Sequence, residues 1–167
     1  RFIKFVSDST DEEYKARLHE YCDVDRAIRY WINVQMFGMI DNYAKNTFLN
    51  CFDGKIFYFA FYDMDSSIGL DNTGYLINTP DIEMMDKKST GAYVFNCATS
   101  RMWSKLFNNF KDEIEEIYTE LRNGAFTLES LTKYIVTDQI DRIPARMYNE
   151  DQFTKYISQG RQYLHML

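Results

Sequence analysis

The chain has 167 residues, of which 46% are hydrophobic and 17% aromatic, and its formal net charge is −6. This length fits one domain with one core. Lysine and arginine are scattered through an acidic chain, which argues against a nucleic-acid-binding surface, and no apolar run reaches the roughly 20 residues that a membrane span needs.

The first two predicted helices lie within the N-terminal forty residues. Ser9 and Glu12 have the spacing of a capping box, which predicts a helix from there to about Tyr21. A second helix is predicted from roughly Val24 to Met39, because its apolar residues recur at intervals of three and four. We expect this second helix to be thoroughly buried.

The hydrophobic pattern changes after the second helix. Two short aromatic runs, 47–52 and 55–62, lie on either side of Asp53-Gly54. An Asp-Gly pair between two such runs predicts a β-hairpin. Residues from 63 to about 89 have little helical pattern and are expected to form a long loop, which is uncommon without a purpose.

Four further helices are predicted downstream, at about 96–110, 112–122, 128–142 and 150–166. Asn123-Gly124 is a typical helix stop, and Thr127 is a suitable cap for the third of these helices. The predicted fold class is therefore mainly α with a small β-hairpin, an α+β arrangement.

Three cysteines, Cys22, Cys51 and Cys97, lie far apart and form no CxxC pair. A zinc site and a disulfide framework are both disfavoured, and buried free thiols in a reducing compartment are expected. The chain opens at Arg1 without a methionine and without a visible signal peptide. We therefore expect it to be a fragment of a longer protein.

The polar residues on either side of the hairpin are the candidate site. Asp41 and Asn46 are separated by four residues, with Lys45 between them, in the stretch DNYAKN. In phosphoryl transfer an Asp can orient or deprotonate a hydroxyl, an Asn oxygen can bind Mg²⁺, and a Lys can face phosphate oxygens. Asp63 and Asp65 follow the second strand, and alternation places both on one side if that strand continues, where a cation between them would relieve their repulsion.

Plainer interpretations remain open for these acids. The pattern DxxxxN arises by chance, and the acids could belong to solvated turns. The oxygen-rich stretch 71–74 could bind Ca²⁺, but it lacks EF-hand spacing and a plain turn is favoured. His19 and His165 lack a partner at metal spacing, and no serine or cysteine has the surroundings of a catalytic nucleophile.

The run DNYAKN…FYFAFYDMDSSIGLDN resembles the CotH-type kinases, the spore-coat protein kinase group with an atypical kinase fold. It is also similar to CotH-like segments of tailed-phage structural proteins, and YDMDSSIGLDNTG makes the phage group the better match. The resemblance is specific over 23–74 and vaguer beyond. It implies that residues 1–167 are a fragment of a single CotH-kinase-like domain. This fragment resembles the C-terminal lobe of an atypical protein kinase-like fold. No Gly-rich phosphate loop or paired strand lysine precedes Asp41, so the N-terminal lobe is expected either to lie outside this sequence or to be lacking in this protein.

Carried over by position, the resemblance implies that Asp41 is the catalytic Asp and Asn46 a metal ligand. Lys45 is assigned a catalytic role beside Asp41. Asp63 is the favoured metal-binding Asp, with Asp65 as a second ligand or its support. Mg²⁺, or alternatively Ca²⁺, is the implied metal, and ATP is implied only if catalysis is retained. The glycine that follows the family's acidic motif corresponds to Gly69.

Two functions follow from this resemblance. The first is a structural component of a tailed-phage virion with a metal-binding CotH-kinase-like domain, assembled in the bacterial cytoplasm with other virion proteins as partners. The high Tyr and Phe content suits such interfaces. The alternative is an atypical Ser/Thr protein kinase that uses Mg-ATP on a protein substrate, with the spore coat as its alternative location. Neither function involves nucleic acid or a membrane, and the sequence leaves the oligomeric state undetermined.

Overall fold

The computed structural model describes residues 1–43, 45–64, 67 and 100–137. Its helices and strands are, in chain order, α1 (Phe2–Asp8), α2 (Asp11–Arg17), α3 (Val24–Met36), β1 (Thr47–Asn50), β2 (Tyr58–Phe61), α4 (Arg101–Asn109), α5 (Lys111–Arg122) and α6 (Leu128–Leu131). The 3₁₀ turns Leu18–Glu20 and Ile40–Tyr43 follow α2 and α3, and the π-helical stretch Thr132–Thr137 follows α6. The predicted fold class, mainly α with a small hairpin, is confirmed. None of the helices in these ranges is both long and apolar enough to cross a membrane.

The N-terminal capping box lies one residue later than predicted. Thr10, not Ser9, caps α2: its hydroxyl accepts a hydrogen bond from the Glu13 N–H at 3.2 Å, and the Glu13 carboxylate accepts one from the Thr10 N–H at 3.0 Å. Ser9 instead terminates α1, a helix that the sequence pattern did not predict. Its carbonyl accepts a hydrogen bond from the Lys105 ammonium. The 3₁₀ turn then replaces the last part of the predicted helix beyond Arg17.

The helix α3 is buried as predicted. Asp23 caps it by accepting a hydrogen bond from the Arg26 N–H at 3.0 Å. Seven of its thirteen residues are buried: Ala27, Ile28, Tyr30, Trp31, Ile32, Val34 and Met36. These residues form the centre of the core, and both α5 and β2 pack on α3.

A glycine ends α3 three residues before the predicted end. Gly38 has φ +59°, a left-handed conformation that glycine adopts without steric cost. The Gly38 N–H donates to the Gln35 carbonyl at 3.3 Å and the Met39 N–H donates to the Val34 carbonyl at 2.9 Å. This pair of bonds is a Schellman motif, and it stops the helix at Met36.

The predicted hairpin is present, with a longer connection than the Asp-Gly pair. β1 and β2 are antiparallel, with Thr47 opposite Phe61 and Asn50 opposite Tyr58. Residues 51–57 join them. The strand pairing therefore places the end of β2 beside the start of β1, where the candidate site lies.

The turn of the hairpin is organised by the side chain of Asp53. One carboxylate oxygen accepts hydrogen bonds from the Ile56 and Lys55 N–H groups at 2.9 and 2.8 Å, and these bonds hold the pKa of the carboxyl below its usual range. Gly54 has φ +72°, which explains the need for glycine next to this aspartate. The Asp-Gly signal thus marks the turn correctly, although not its length.

An aromatic cluster joins the hairpin to the helices. The Tyr30 ring on α3 stacks on the ring of Phe61 at a centroid distance of 4.4 Å and on that of Trp103 at 5.5 Å. Phe59 lies 4.9 Å from Trp103 by the same measure. The hairpin is therefore packed by one face against α3 and α4, which fixes its position relative to the residues that follow α3.

The downstream helices agree with their predicted caps. The Thr127 hydroxyl accepts a hydrogen bond from the Ser130 N–H at 3.2 Å at the start of α6, and α5 ends where Asn123-Gly124 predicts. A π-helix rather than an α-helix continues α6. The remaining predicted parts, 96–99, 138–142 and 150–166, and most of the predicted loop 63–89, lie outside the described residues.

The two described cysteines are free thiols with different surroundings. Cys22 is buried, and burial raises the pKa of its thiol to about 12. Cys51 is only half-buried, in the hairpin connection. The expectation of buried free thiols is confirmed for Cys22 and only in part for Cys51, and Cys97 lies outside the described residues.

Candidate functional site

The loop between α3 and β1 closes on the main-chain carbonyl of Asp41. The N–H groups of Lys45 and Asn46 donate to this carbonyl at 3.0 and 3.1 Å. Because Gly38 ends α3 just before, the chain turns back at once through the 3₁₀ turn Ile40–Tyr43. The four-residue spacing of Asp41 and Asn46 is therefore a tight loop that holds its two ends together.

The side chains of the two residues predicted as catalytic contact each other. The Lys45 Nζ lies 3.2 Å from the Asp41 Oδ2. The Asp41 side chain is 18% exposed and that of Lys45 is 52% exposed. The carboxylate is thus largely shielded, whereas the ammonium that pairs with it remains in contact with solvent.

Two of the three predicted metal ligands are also neighbours. The Asn46 Nδ2 donates a hydrogen bond to the main-chain carbonyl of Asp63 at 3.1 Å. Because the nitrogen of this amide is engaged, its oxygen is the atom of Asn46 that can bind a cation. The structure therefore brings Asp41, Lys45, Asn46 and Asp63 into one continuous series of contacts.

The backbone of Asp63 departs from strand geometry. β2 ends at Phe61, and Asp63 has φ +48° with an exposed side chain. A left-handed conformation costs a residue other than glycine roughly 1–2 kcal/mol, and Asp is one of the few that adopt it. The argument from alternation held only if the strand continued, and this condition is not met at Asp63. The second acid of that argument, Asp65, lies outside the described residues, as do Gly69 and the stretch 71–74.

The residue that the sequence analysis missed is Asn42, which is completely buried inside the loop. Its Nδ2 donates to the carbonyls of Asn46 and Tyr62 at 2.7 and 3.0 Å. Its own carbonyl accepts hydrogen bonds from the hydroxyls of Tyr30 and Thr47 at 2.7 and 2.6 Å. Asn42 therefore joins α3, the loop and both strands. No signal in the sequence marks it, because an asparagine in a polar stretch is equally typical of a solvated turn.

The Asn42 carbonyl and the two hydroxyls that contact it have only two hydrogen-bonding protons between them. The two hydroxyls of Tyr30 and Thr47 also lie 2.6 Å from each other. Two hydroxyl protons cannot fill three contacts at once, so two of the three are hydrogen bonds at any moment. Either hydroxyl can therefore satisfy the carbonyl when the other turns away. Burial raises the pKa of the Tyr30 phenol, which stays protonated and remains a donor near neutral pH.

Other predicted alternatives receive no support from the described ranges. His19 is exposed on a 3₁₀ turn, and His165 lies outside those ranges. No group of three or more His, Cys, Asp or Glu side chains in residues 1–43, 45–64, 67 and 100–137 is placed to hold a metal ion. The predicted ligands are the amide of Asn46 and the carboxylates of Asp63 and Asp65. Asp65 lies outside the described residues, so the structure describes only Asn46 and Asp63 of this set.

The sequence matches a known protein family. The model of the family described as "CotH kinase protein" matches residues 1–165. Since this match covers nearly the whole chain, the chain belongs to the CotH kinase protein family. No curated protein and no solved structure matches it. The resemblance to CotH-type kinases is thus confirmed, while the closeness to the phage group and the likeness to a kinase C-terminal lobe stay predictions.

Proposed function

We infer that this CotH-family domain binds Mg²⁺ and takes part in phosphoryl transfer from ATP to a protein hydroxyl. The observation that carries the proposal is the link between the loop and the strand end, the 3.1 Å hydrogen bond from Asn46 to Asp63. This bond joins the Asn46 side-chain amide to the main chain of Asp63, the residue seventeen positions further on that carries the carboxylate. In the same loop, Asp41 and Lys45 supply an acid and a cation.

The donor atoms of Asn46 and Asp63 fit Mg²⁺. An amide oxygen and a carboxylate are hard ligands, and Mg²⁺ is usually held by one or two carboxylates together with phosphate oxygens and water. Bound there, the ion would neutralise charge that develops on the transferred phosphoryl group. We assign Asp65 as a further ligand or its support. Ca²⁺, which also takes oxygen ligands, is the alternative cation.

Asp41 is the residue to which we assign the acceptor hydroxyl. Its carboxylate is shielded but not closed off, so that a small polar group can reach it. The partner of the carboxylate, Lys45, is half-exposed, and an exposed ion pair of this kind is weak. Lys45 can therefore leave Asp41 for a phosphate oxygen without a large loss of stability.

Metal binding is tested by thermal unfolding of the 167-residue chain with and without Mg²⁺. We expect Mg²⁺ to raise the Tm of the wild type by the usual linkage of binding to stability. The variant Asp63→Asn should lose this shift while keeping the fold, because Asn also adopts the left-handed conformation. Asp112→Asn, which changes an exposed acid at the start of α5, should keep it. A wild type whose Tm does not respond to Mg²⁺ contradicts the proposal.

The phosphoryl transfer itself is tested with the natural full-length protein. Transfer of labelled phosphate from ATP to protein should be lost in Asp41→Asn and retained in Asp112→Asn. Equal transfer by wild type and Asp41→Asn excludes Asp41 as the catalytic residue. Because metal binding is measured separately, a metal site without transfer activity is recognisable in this design.

A structural role in a tailed-phage virion is the second proposal, and exposed aromatic side chains favour it. Phe48 and Tyr62 are 50% and 55% exposed, and their ring centroids lie 4.8 Å apart on the outer side of the hairpin. Phe52 is 85% exposed in the connection between the strands. Aromatic side chains are enriched at protein interfaces, so this surface suits contacts with other virion proteins.

The two proposed locations, virion and spore coat, can be distinguished directly. A virion protein assembled in the bacterial cytoplasm should be found by mass spectrometry in purified particles, and a spore-coat protein in purified coats. Absence from the particles contradicts the virion proposal. The phosphotransferase proposal does not depend on this result, since a fold can serve either function.

A further inference from the structure

Beside the candidate site, the last residue pair of the two strands makes only one of its two backbone hydrogen bonds. Beyond Thr47 and Phe61, the next antiparallel pair is Asn46 opposite Tyr62. A hydrogen-bonded antiparallel pair exchanges two backbone bonds, and one of them is present, from the Tyr62 N–H to the Asn46 carbonyl at 3.1 Å. The other is not made, because the Asn46 N–H donates to the carbonyl of Asp41 instead.

The side chain of Asn42 takes the place of the missing backbone donor. Its Nδ2 donates to the Tyr62 carbonyl at 3.0 Å, the group that the Asn46 N–H would otherwise reach. The same nitrogen donates to the Asn46 carbonyl at 2.7 Å. One buried amide group thus bonds to both members of the terminal pair and replaces the bond that closing the loop had removed.

The orientation of this amide is fixed by its surroundings. A flipped amide would set Oδ1 of Asn42 against two carbonyl oxygens, which offer no hydrogen to accept. In the observed orientation Oδ1 is buried and has no hydrogen-bond partner within the described part of the chain. An unpaired buried acceptor destabilises the fold. The two N–H donations offset this cost. The side chain at position 42 is therefore required as a donor of two hydrogen bonds.

We propose that Asn42 is a positioning residue that fixes the separation of the two metal ligands Asn46 and Asp63. It holds the first through its main-chain carbonyl and the second through the carbonyl of the preceding residue, Tyr62. This inference rests on the proposed Mg²⁺ site. Groups that orient metal ligands from behind typically change metal affinity 10–100-fold when they are removed, and Asn42 stands in that relation to both ligands.

The experiment combines two measurements on the 167-residue chain. In the wild type, the side-chain NH₂ protons of Asn42 should exchange with solvent at least about tenfold more slowly than those of the exposed Asn108, since hydrogen-bonded buried donors are protected. In Asn42→Leu, which has similar volume but no donor, the Kd for Mg²⁺ should rise by roughly tenfold or more.

A matched control is Asn109→Leu. The Asn109 amide donates to the Lys105 carbonyl at 2.9 Å within α4, so this variant should keep the wild-type affinity for Mg²⁺. If Asn42→Leu does not fold, Asn42→Ser replaces it, with the same expected rise in Kd. Affinities are compared at a temperature where each variant is folded, so that lost stability alone does not change them.

The outcomes separate this inference from the function on which it rests. Slow exchange together with weakened Mg²⁺ binding supports the positioning role. Exchange of the Asn42 amide as fast as that of Asn108 overturns it, and so does an unchanged Mg²⁺ affinity in the Asn42 variants. A wild type that binds no Mg²⁺ overturns the proposed metal site, and the positioning of its ligands with it, even where the amide is protected.

Discussion

The core beneath the hairpin and the loop beside it are held by different forces, and Tyr30 belongs to both. Its ring stacks on Phe61 and Trp103, whereas its hydroxyl donates to the Asn42 carbonyl. Apolar burial is non-directional and grows with area, so a core can lose one contact and keep its shape. The loop depends on a few directional hydrogen bonds, so the loss of one changes the geometry of the site.

This contrast teaches that stability and site geometry should be separable in this protein. Substitutions in the core should lower the free energy of unfolding with little effect on Mg²⁺ affinity. Substitutions in the loop should weaken Mg²⁺ binding, whether or not they also lower the free energy of unfolding. The following variants test that separation, from the largest expected effect to the smallest.

The largest effect is expected from truncation of Leu106, which is fully buried on α4. Leu106→Ala should lower the free energy of unfolding by about 3 kcal/mol, because it loses buried apolar surface and leaves a cavity. Urea denaturation measures this loss. Leu128→Ala, at a residue that is 47% exposed, should cost far less. A fall in the Mg²⁺ affinity of folded Leu106→Ala would break the proposed separation.

A glycine pair distinguishes strain in the loop from strain elsewhere. Gly38 and Gly54 both have left-handed backbones, at φ +59° and +72°. Gly38→Ala and Gly54→Ala should each lower the free energy of unfolding by about 1–2 kcal/mol. A Cβ at Gly54 would meet no atom within 4 Å, so its cost is conformational.

Only Gly38→Ala should also weaken Mg²⁺ binding, because Gly38 directs the chain into the loop that begins at Asp41. Isothermal titration of the two variants gives the comparison. Equal Mg²⁺ affinities in Gly38→Ala and Gly54→Ala would show that the end of α3 does not control the site.

The N-terminal cap tests a region remote from both the core centre and the loop. Thr10→Ala should lower the free energy of unfolding by about 1 kcal/mol, because the first turn of α2 loses its side-chain acceptor. Ser9→Ala should cost less, since the Ser9 hydroxyl has only a 3.2 Å contact with Lys105. Urea midpoints of the two variants decide the order. A larger loss of stability in Ser9→Ala than in Thr10→Ala would support Ser9 as the cap, as the sequence predicted.

The smallest effect is expected from an exposed ion pair that links α3 to α5. Arg29 donates to both carboxylate oxygens of Glu120, at 2.7 and 3.2 Å, and holds the pKa of that carboxyl below its usual range. The stabilisation is fully present above the pKa of an unfolded Glu, about 4.3, and is lost as the pH falls through the lower folded pKa.

Glu120→Gln should therefore be slightly less stable than the wild type at pH 7, and the difference should disappear towards pH 3. Urea denaturation at both pH values measures this. Glu116→Gln, an exposed neighbour on the same helix, is the control and should show no such trend. A difference between wild type and Glu120→Gln that grows as the pH falls would contradict the assignment.

Local signals in the sequence were reliable where the physical cause is local. Thr127 caps the helix that it was predicted to begin, and Asp53-Gly54 lies in the hairpin turn. A cap or a turn depends on a side chain and the backbone within three residues of it. The capping box was misplaced by one residue because α1, an unpredicted helix, extends to Asp8 and leaves Ser9 at its end.

The end of α3 was misjudged for a related reason. The apolar spacing continues past Met36 through Met39, which is buried. Periodicity alone cannot distinguish a helical turn from residues that are buried after the helix ends. Gly38 was the available signal, since a glycine near the end of an apolar pattern is the usual C-terminal residue of a Schellman motif.

For the site, the sequence by itself determined the residue types and their order: Asp41, Lys45 and Asn46 in one short loop, then a hairpin, then Asp63. That order sufficed to recognise the family. Only the tertiary structure decided that Asn46 meets Asp63, that Lys45 pairs with Asp41, and that Asn42 is buried among them. These contacts depend on how the hairpin packs against α3, and a sequence pattern does not specify which polar side chains such packing buries.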